Sequence, residues 1–233
     1  MISVVIPAYN ESARLPPTLA RIREHLDAGP DQYEVLVVDD GSHDDTAALA
    51  ESVAAAWLQL RVIRLSVNRG KGAAVRAGML AATGELRLFS DADLSTPMAE
   101  LGLLRSRIDA GYGVAIASRA LPGTTIEVHQ NRRRETMGRI YNVFLRLLVL
   151  PDIHDSQCGF KLFTAAAART SFEPLRTERF GFDAEVLVRA RRAGIRIAEV
   201  PVRWRHVEES RVSSVRDASR MLLDLVILRL RGT

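Results

Sequence analysis

Two carboxylates one residue apart form the most chemically suggestive spacing in this 233-residue chain. They are Asp91 and Asp93, at the end of Glu85-Leu86-Arg87-Leu88-Phe89-Ser90-Asp91-Ala92-Asp93-Leu94. The run ahead of them reads as a strand, and ligands of open α/β sheets bind beyond the carboxyl ends of strands. Mg²⁺ and Mn²⁺ prefer oxygen ligands, commonly one or two carboxylates completed by substrate phosphates. Asp-Ala-Asp at a strand end therefore suits a metal–diphosphate; a solvated acidic turn is the alternative on this segment alone.

Three further strand ends carry polar groups. Ile2–Ile6 stops at Pro7 and leads into Ala8, Tyr9, Asn10 and Glu11. Tyr33–Val38 runs into Asp39-Asp40-Gly41-Ser42, and Leu60–Leu65 precedes Asn68-Arg69-Gly70-Lys71-Gly72. Turn chemistry accounts for each one separately. Four such ends on the same edge of one sheet describe a nucleotide site, with acids for base, ribose and metal and one lysine for phosphate. No Gly-x-Gly-x-x-Gly follows the first strand, and there is no Walker A loop. Lys71 and Lys161 are the only lysines among 32 basic residues, and each lies beside a glycine-containing motif, a hint that a compact ammonium is needed there.

These residues need a frame. Helical spacing of Leu15, Leu19, Ile22 and Leu26, an Ala-rich helix to about Leu58 and another over Ala73–Thr83 alternate with the strands. That alternation predicts an α/β fold with a mostly parallel sheet flanked by helices. Later, Gly113–Ser118 reads as a strand ending in Arg119, Thr124–Asn131 as irregular, and Ile195–Val202 as a strand. Met137 to Leu150 forms a strongly apolar helix beside Arg132, Arg133 and Arg134, suited either to an interface or to the core. Phe180 to Glu185 opens a helix whose Asp183 and Glu185 serve either the helix dipole or sugar hydroxyls. A last apolar helix is interrupted by Asp224 and terminal arginines.

Hydrophobic content of 47% supports a sizeable core, and a net charge of +4 suits an anionic partner. No basic motif with interleaved aromatics points to nucleic acid. A lone Cys158 leaves no internal disulfide and reads as a packed residue in a reducing compartment. The N-terminus reads as a strand, and no apolar run approaches the ~18 residues of a spanning helix. The expected location is cytoplasmic, peripheral to the cytoplasmic membrane face.

Taken as a set, Val4-Val5-Ile6-Pro7-Ala8-Tyr9-Asn10-Glu11, Val37-Val38-Asp39-Asp40-Gly41-Ser42, Asn68-Arg69-Gly70-Lys71-Gly72 and Asp91-Ala92-Asp93 resemble the signature series of inverting family 2 glycosyltransferases. Their order and spacing resemble the branch that transfers a sugar to dolichyl or polyprenyl phosphate. Asp155-Ser156-Gln157-Cys158-Gly159-Phe160-Lys161 is similar to the segment that lines the sugar site in the dolichyl-phosphate glucosyltransferase branch. The resemblance covers nearly the whole chain. It implies a GT-A-type fold over 1–205, a nucleotide-sugar donor and Mg²⁺ or Mn²⁺, with 206–233 an amphipathic helical extension facing a membrane or partner.

By position, the resemblance puts Pro7, Ala8, Tyr9, Glu11, Val38 and Asp40 on the nucleotide, with Lys71 beside its phosphates. It puts Asp91 and Ala92 on ribose and diphosphate, Asp91 and Asp93 on the metal, and Arg205 and Arg211 on the donor phosphates. Ser95 stands where mannose-transferring relatives carry a metal-binding glutamine. A lipid phosphate is its own nucleophile, so Arg119 and Arg132–Arg134 are expected to clamp it, with Asp155 orienting the sugar. The Asp155–Lys161 segment favours UDP-glucose over GDP-mannose. The rivals are the same chemistry on a soluble acceptor and a non-catalytic nucleotide-sugar-binding subunit. Oligomeric state is left open.

Overall fold

The computed structural model describes residues 1–207 and 214–230, with the backbone alone for 132–134 and 214–218. Nine strands are described: β1 (Ile2–Ala8), β2 (Tyr33–Asp39), β3 (Leu60–Arg64), β4 (Leu86–Ser90), β5 (Val114–Ser118), β6 (Thr125–Val128), β7 (Phe160–Thr164), β8 (Ile197–Pro201) and β9 (Arg203–Arg205). Seven of them form one sheet in the order β3-β2-β1-β4-β7-β5-β8, and β6 pairs with β9 beside it. Pairing is parallel throughout except at β7, which runs antiparallel to both β4 and β5.

The helices are α1 (Leu15–Asp27), α2 (Thr46–Ala55), α3 (Lys71–Ala81), α4 (Leu101–Asp109), α5 (Arg132–Leu148), α6 (Ala165–Phe172), α7 (Phe182–Arg192) and α8 (Ser214–Leu230). β1, β2, β4, β5 and β7 are buried on both faces, so successive residues feed two cores. Val5, Val38, Phe89 and Phe163 face the layer of α3, α5, α6, α7 and α8. Val4, Val37, Leu88 and Leu162 face the layer of α1, α2 and α4.

Three segments differ from the sequence expectation. Thr125–Val128 is a strand rather than irregular, because β9 supplies its partner. The segment after Cys158 turns into β7, and its antiparallel insertion splits the sheet into two parallel halves. The arginines 132–134 form the first turn of α5 rather than preceding it. In the C-terminal segment, the expected extension, α8 packs on α5 and buries Met221, Leu225 and Leu228 in the same core as the sheet.

Candidate active site

The carboxyl ends of β1, β2 and β4 and the N-terminus of α3 open onto one cavity of about 850 Å³. Pro7, Ala8, Tyr9, Glu11, Asp40, Lys71, Asp91, Ala92, Asp93 and Arg119 all line it. The segments that carry them are tied together. In the β1–α1 loop Asn10 takes a left-handed backbone (φ 51°). Its N–H donates to Ser42 Oγ at 2.8 Å, and its Oδ1 accepts the His43 N–H at 2.8 Å. The Glu11 N–H donates to Thr46 Oγ1 at 2.7 Å, and its carboxylate sits 3.3 Å from Arg14 Nε. Asp40 accepts the N–H groups of Arg69 and Gly70 at 2.9 and 2.8 Å, so it shapes the loop that presents Lys71. Gly70 has φ 110°, and a Cβ there would lie 2.6 Å from the Glu178 carbonyl oxygen. Burial leaves the Asp40 pKa raised despite those two hydrogen bonds.

The Asp-Ala-Asp loop is gripped from several sides. Thr18 Oγ1 of α1 donates to the Ala92 carbonyl at 2.6 Å, and the Asp91 N–H donates to the Gly159 carbonyl at 2.9 Å. Asp93 Oδ1 accepts the Ser95 N–H at 2.9 Å, and Leu94 next to it is held at φ 45°. A left-handed backbone at a bulky residue costs on the order of 1–3 kcal/mol, and such strain concentrates at functional sites. Lys71 Nζ lies 2.7 Å from Asp91 Oδ1. Burial raises the pKa of Asp93, and the neighbouring charge of Asp91 raises it further.

Two mutually repelling carboxylates at the mouth of a cavity with room for diphosphate oxygens fit a hard divalent cation such as Mg²⁺ or Mn²⁺. Among the described residues no third acid, His or Cys completes a protein-only metal cluster, in keeping with a site finished by substrate oxygens. Gly159 is required here. A Cβ at that position would sit 2.0 Å from Asp91 Oδ2, so Gly159→Ala is expected to displace Asp91 and weaken Mn²⁺ binding, with the far-ultraviolet circular dichroism unchanged.

Arg119 also lines the cavity. Its Nε and Nη2 donate to Asp155 Oδ2 and Oδ1 at 2.7 and 2.8 Å, and its N–H donates to Oδ2 at 3.0 Å. Its guanidinium lies over the Trp204 ring, 5.4 Å from the centroid. Asp155 is buried and does not line the cavity; both its oxygens are engaged, so it holds Arg119 rather than facing a sugar. Burial pushes the Asp155 pKa up, and Arg119 more than reverses this, leaving it lowered. Glu199 supports the segment from behind, accepting the N–H groups of His154 and Asp155 at 2.9 and 2.8 Å. His154 contacts Glu199 through Nδ1 at 3.1 Å, a structural placement.

Arg205 does not reach this cavity. Along β9 side chains alternate, so Trp204 points to the main cavity while Arg205 lines a second cavity with Arg21 and His25. The Val38 side chain is in the core, and Val38 is not among the residues that line the cavity. Arg132–Arg134 begin α5, with side chains outside the description, and Arg211 lies outside the described residues.

Sequence reasoning missed several lining residues: Arg14, Arg179, Tyr141, Trp204 and His206. The tandem Phe180-Gly181-Phe182 did mark the turn that delivers Arg179 and Asp183. Asp183 lines the cavity and pairs with buried Lys161, which also donates to the Cys158 carbonyl at 2.6 Å. Burial raises the Asp183 pKa against the opposing pull of Lys161 and Lys71. Glu185 instead accepts the N–H groups of Arg176 and Thr177 and pairs with Arg189, a purely structural role. Cys158 is packed beside Thr96, and burial pushes its thiol up to about 11, which leaves it inert as a nucleophile.

Comparison with known proteins agrees with this geometry. The Glycosyl transferase family 2 model matches residues 3–172. A dolichyl-phosphate beta-glucosyltransferase of Dictyostelium discoideum is 34% identical over 242 residues, covering 99% of this chain and 74% of that protein. Proteins of the same name from Drosophila melanogaster and Homo sapiens are 37% and 35% identical over 99% of this chain and 74% and 75% of theirs. Among solved structures, Mycobacterium tuberculosis glucosyl-3-phosphoglycerate synthase in complex with Mn²⁺, uridine-diphosphate-glucose and phosphoglyceric acid superposes with a TM-score of 0.74. That match covers 98% of this chain and 79% of that chain at 22% identity, a likeness of fold, and the fold is of GT-A type. With a family model across most of its length and relatives above 30% identity over 99% of it, this chain belongs to the family 2 glycosyltransferases.

Proposed function

We propose that this protein moves glucose from UDP-glucose to the phosphate of a dolichyl or other polyprenyl phosphate, inverting the anomeric carbon. The observation that carries the reading is the set of charged groups gathered on one large cavity. Asp91, Asp93 and Lys71 line it together with Arg119, which Asp155 anchors. The names of the relatives support glucose and a lipid phosphate. UDP-glucose rather than GDP-mannose follows from the same relatives and from the Asp155–Lys161 segment.

Tyr9, Glu11 and Asp40 hold the nucleoside where β1 and β2 end. Lys71 neutralises the diphosphate, and Asp183 and Gln157 face the sugar. Asp91 and Asp93 would hold Mg²⁺ or Mn²⁺, which offsets charge on the departing diphosphate when bound. The acceptor phosphate is ionised near neutral pH, so no general base is needed. Arg119 fixes its position, held flat between Asp155 and Trp204. In-line attack then yields the β-glucoside from the α-linked donor.

The lipid tail has a route out. Met137, Ile140, Met221 and Leu222 line the cavity from α5 and α8. The same helices expose Val143, Phe144, Leu147, Leu223, Val226 and Leu230. No helix among the described residues is long and apolar enough to cross a membrane. The exposed faces suit contact with the membrane surface, on its cytoplasmic side. The protein is expected to float with anionic liposomes, and Phe144→Glu with Leu147→Glu should cut recovery severalfold while leaving UDP binding intact; equal recovery would remove the membrane contact. For the reaction itself, incubation with dolichyl phosphate and either UDP-glucose or GDP-mannose should give glycolipid with the first donor alone. Transfer only to a soluble phosphorylated acceptor would replace this reading.

A further inference from the structure

Lys71 carries more than phosphate binding. Its ammonium, 2.7 Å from Asp91 Oδ1, occupies an edge of one of the two carboxylates that fit a divalent cation. Asp91 is closely packed on one side. The Asp91 carboxylate is pressed against Gly159, where a Cβ would meet Oδ2 at 2.0 Å and Oδ1 at 2.6 Å, and its N–H is bonded to the Gly159 carbonyl. Asp183, another acid on the same cavity, is paired with Lys161. The Lys71 chain also lies along the Phe89 ring, with Nζ 5.3 Å from its centroid. Before the donor arrives, Lys71 is thus the cation of the acid pair.

We infer that Lys71 is a placeholder for the divalent cation: it blocks tight metal binding at Asp91 until a nucleoside diphosphate gives the ammonium a new anion. This rests on the donor and metal sites proposed above. Two cations on one carboxylate edge repel, so a metal entering alone must displace Lys71 from Asp91 and brings no anion to receive it. A diphosphate removes that obstacle, because Lys71 lies at the start of α3 where phosphate oxygens are favoured. Metal and nucleotide then bind with positive coupling, and by linkage each tightens the other equally. The arrangement keeps the empty enzyme from trapping metal unproductively and ties its capture to the substrate.

The test measures Mn²⁺ binding to the full chain by electron paramagnetic resonance, with and without UDP. In the wild type, UDP is expected to tighten Mn²⁺ by about tenfold or more. Lys71→Met should tighten Mn²⁺ alone by about tenfold and shrink the effect of UDP severalfold; Lys71→Arg should stay near wild type in the absence of UDP. Unchanged or weaker Mn²⁺ binding by Lys71→Met without UDP would overturn the proposal. If wild type binds neither Mn²⁺ nor UDP, the donor site itself is wrong, a distinct outcome. A second readout needs no variant. The chain has two lysines, so lysine-selective ¹³C labelling gives two ε-methylene signals. Mg²⁺ with UDP should shift the Lys71 signal while buried Lys161 holds still, and binding that leaves Lys71 unmoved would also defeat the proposal.

Discussion

Asp93→Asn is expected to lower glucosyl transfer by at least about a hundredfold, the scale on which losing one preorganised charge-stabilising group is felt. It should also raise the melting temperature. Both follow from one fact: Asp93 is held in a partly desolvated loop beside Asp91, at a cost to the folded state. Its raised pKa means the folded protein binds this proton more tightly than the unfolded chain does. The stability contribution is therefore full at pH below the unfolded carboxylate pKa and is lost as pH rises through the folded value. Asparagine removes the repulsion and keeps an acceptor for the Ser95 N–H. The same titration sets an acid limit on activity, since metal and proton compete for the carboxylate. Activity should fall as pH drops through the raised pKa, and added Mn²⁺ should push that limb to lower pH. Calorimetry together with turnover assays checks the pair of effects; full turnover by Asp93→Asn would remove Asp93 from the metal site.

Arg119→Ala is the second large effect, and here stability and activity fall together. Asp155 is 1% exposed, and its two oxygens depend on the guanidinium and on the Gln157 N–H. Removing one partner of a buried pair typically costs about 3–5 kcal/mol, because the other charge is stranded. Asp155 has a lowered pKa, so its contribution is present above the unfolded carboxylate pKa and is lost as pH falls through the folded one. The double variant Arg119→Met, Asp155→Leu should recover much of the stability in urea unfolding and none of the transfer. Arg119→Lys should fold and raise the Michaelis constant for lipid phosphate far more than for UDP-glucose, since the flat two-pronged grip on Asp155 is lost. Equal effects on both constants would move Arg119 to the donor end of the cavity.

Much of the donor end was legible in the sequence because it is local. A strand that ends in Asp-Ala-Asp, or in Asp-Asp-Gly-Ser, announces both the element and the group at its tip, and parallel topology puts every tip on one edge. What escaped was non-local. The segment Asp155–Lys161 reads only as a lining of the sugar site, and the pairing of Phe160–Thr164 with Leu86–Ser90 is what makes its end an antiparallel strand. Arg119 and Asp155 were both singled out, but as separate groups. Nothing in a separation of 36 residues reveals that one locks the other. Arg205 was placed on the donor by resemblance, whereas the alternation of β9 gives that face to Trp204. Lys71 was read as a phosphate ligand, and its contact with Asp91 appears only once the β3–α3 loop is folded against β4.

The most direct test of the account is the product. Full-length protein, Mn²⁺, UDP-glucose and dolichyl phosphate in detergent should yield a glucosyl phospholipid whose anomeric proton couplings identify the β-linkage. An α-linked glycolipid, or none while UDP-glucose still donates to a water-soluble acceptor, would contradict it.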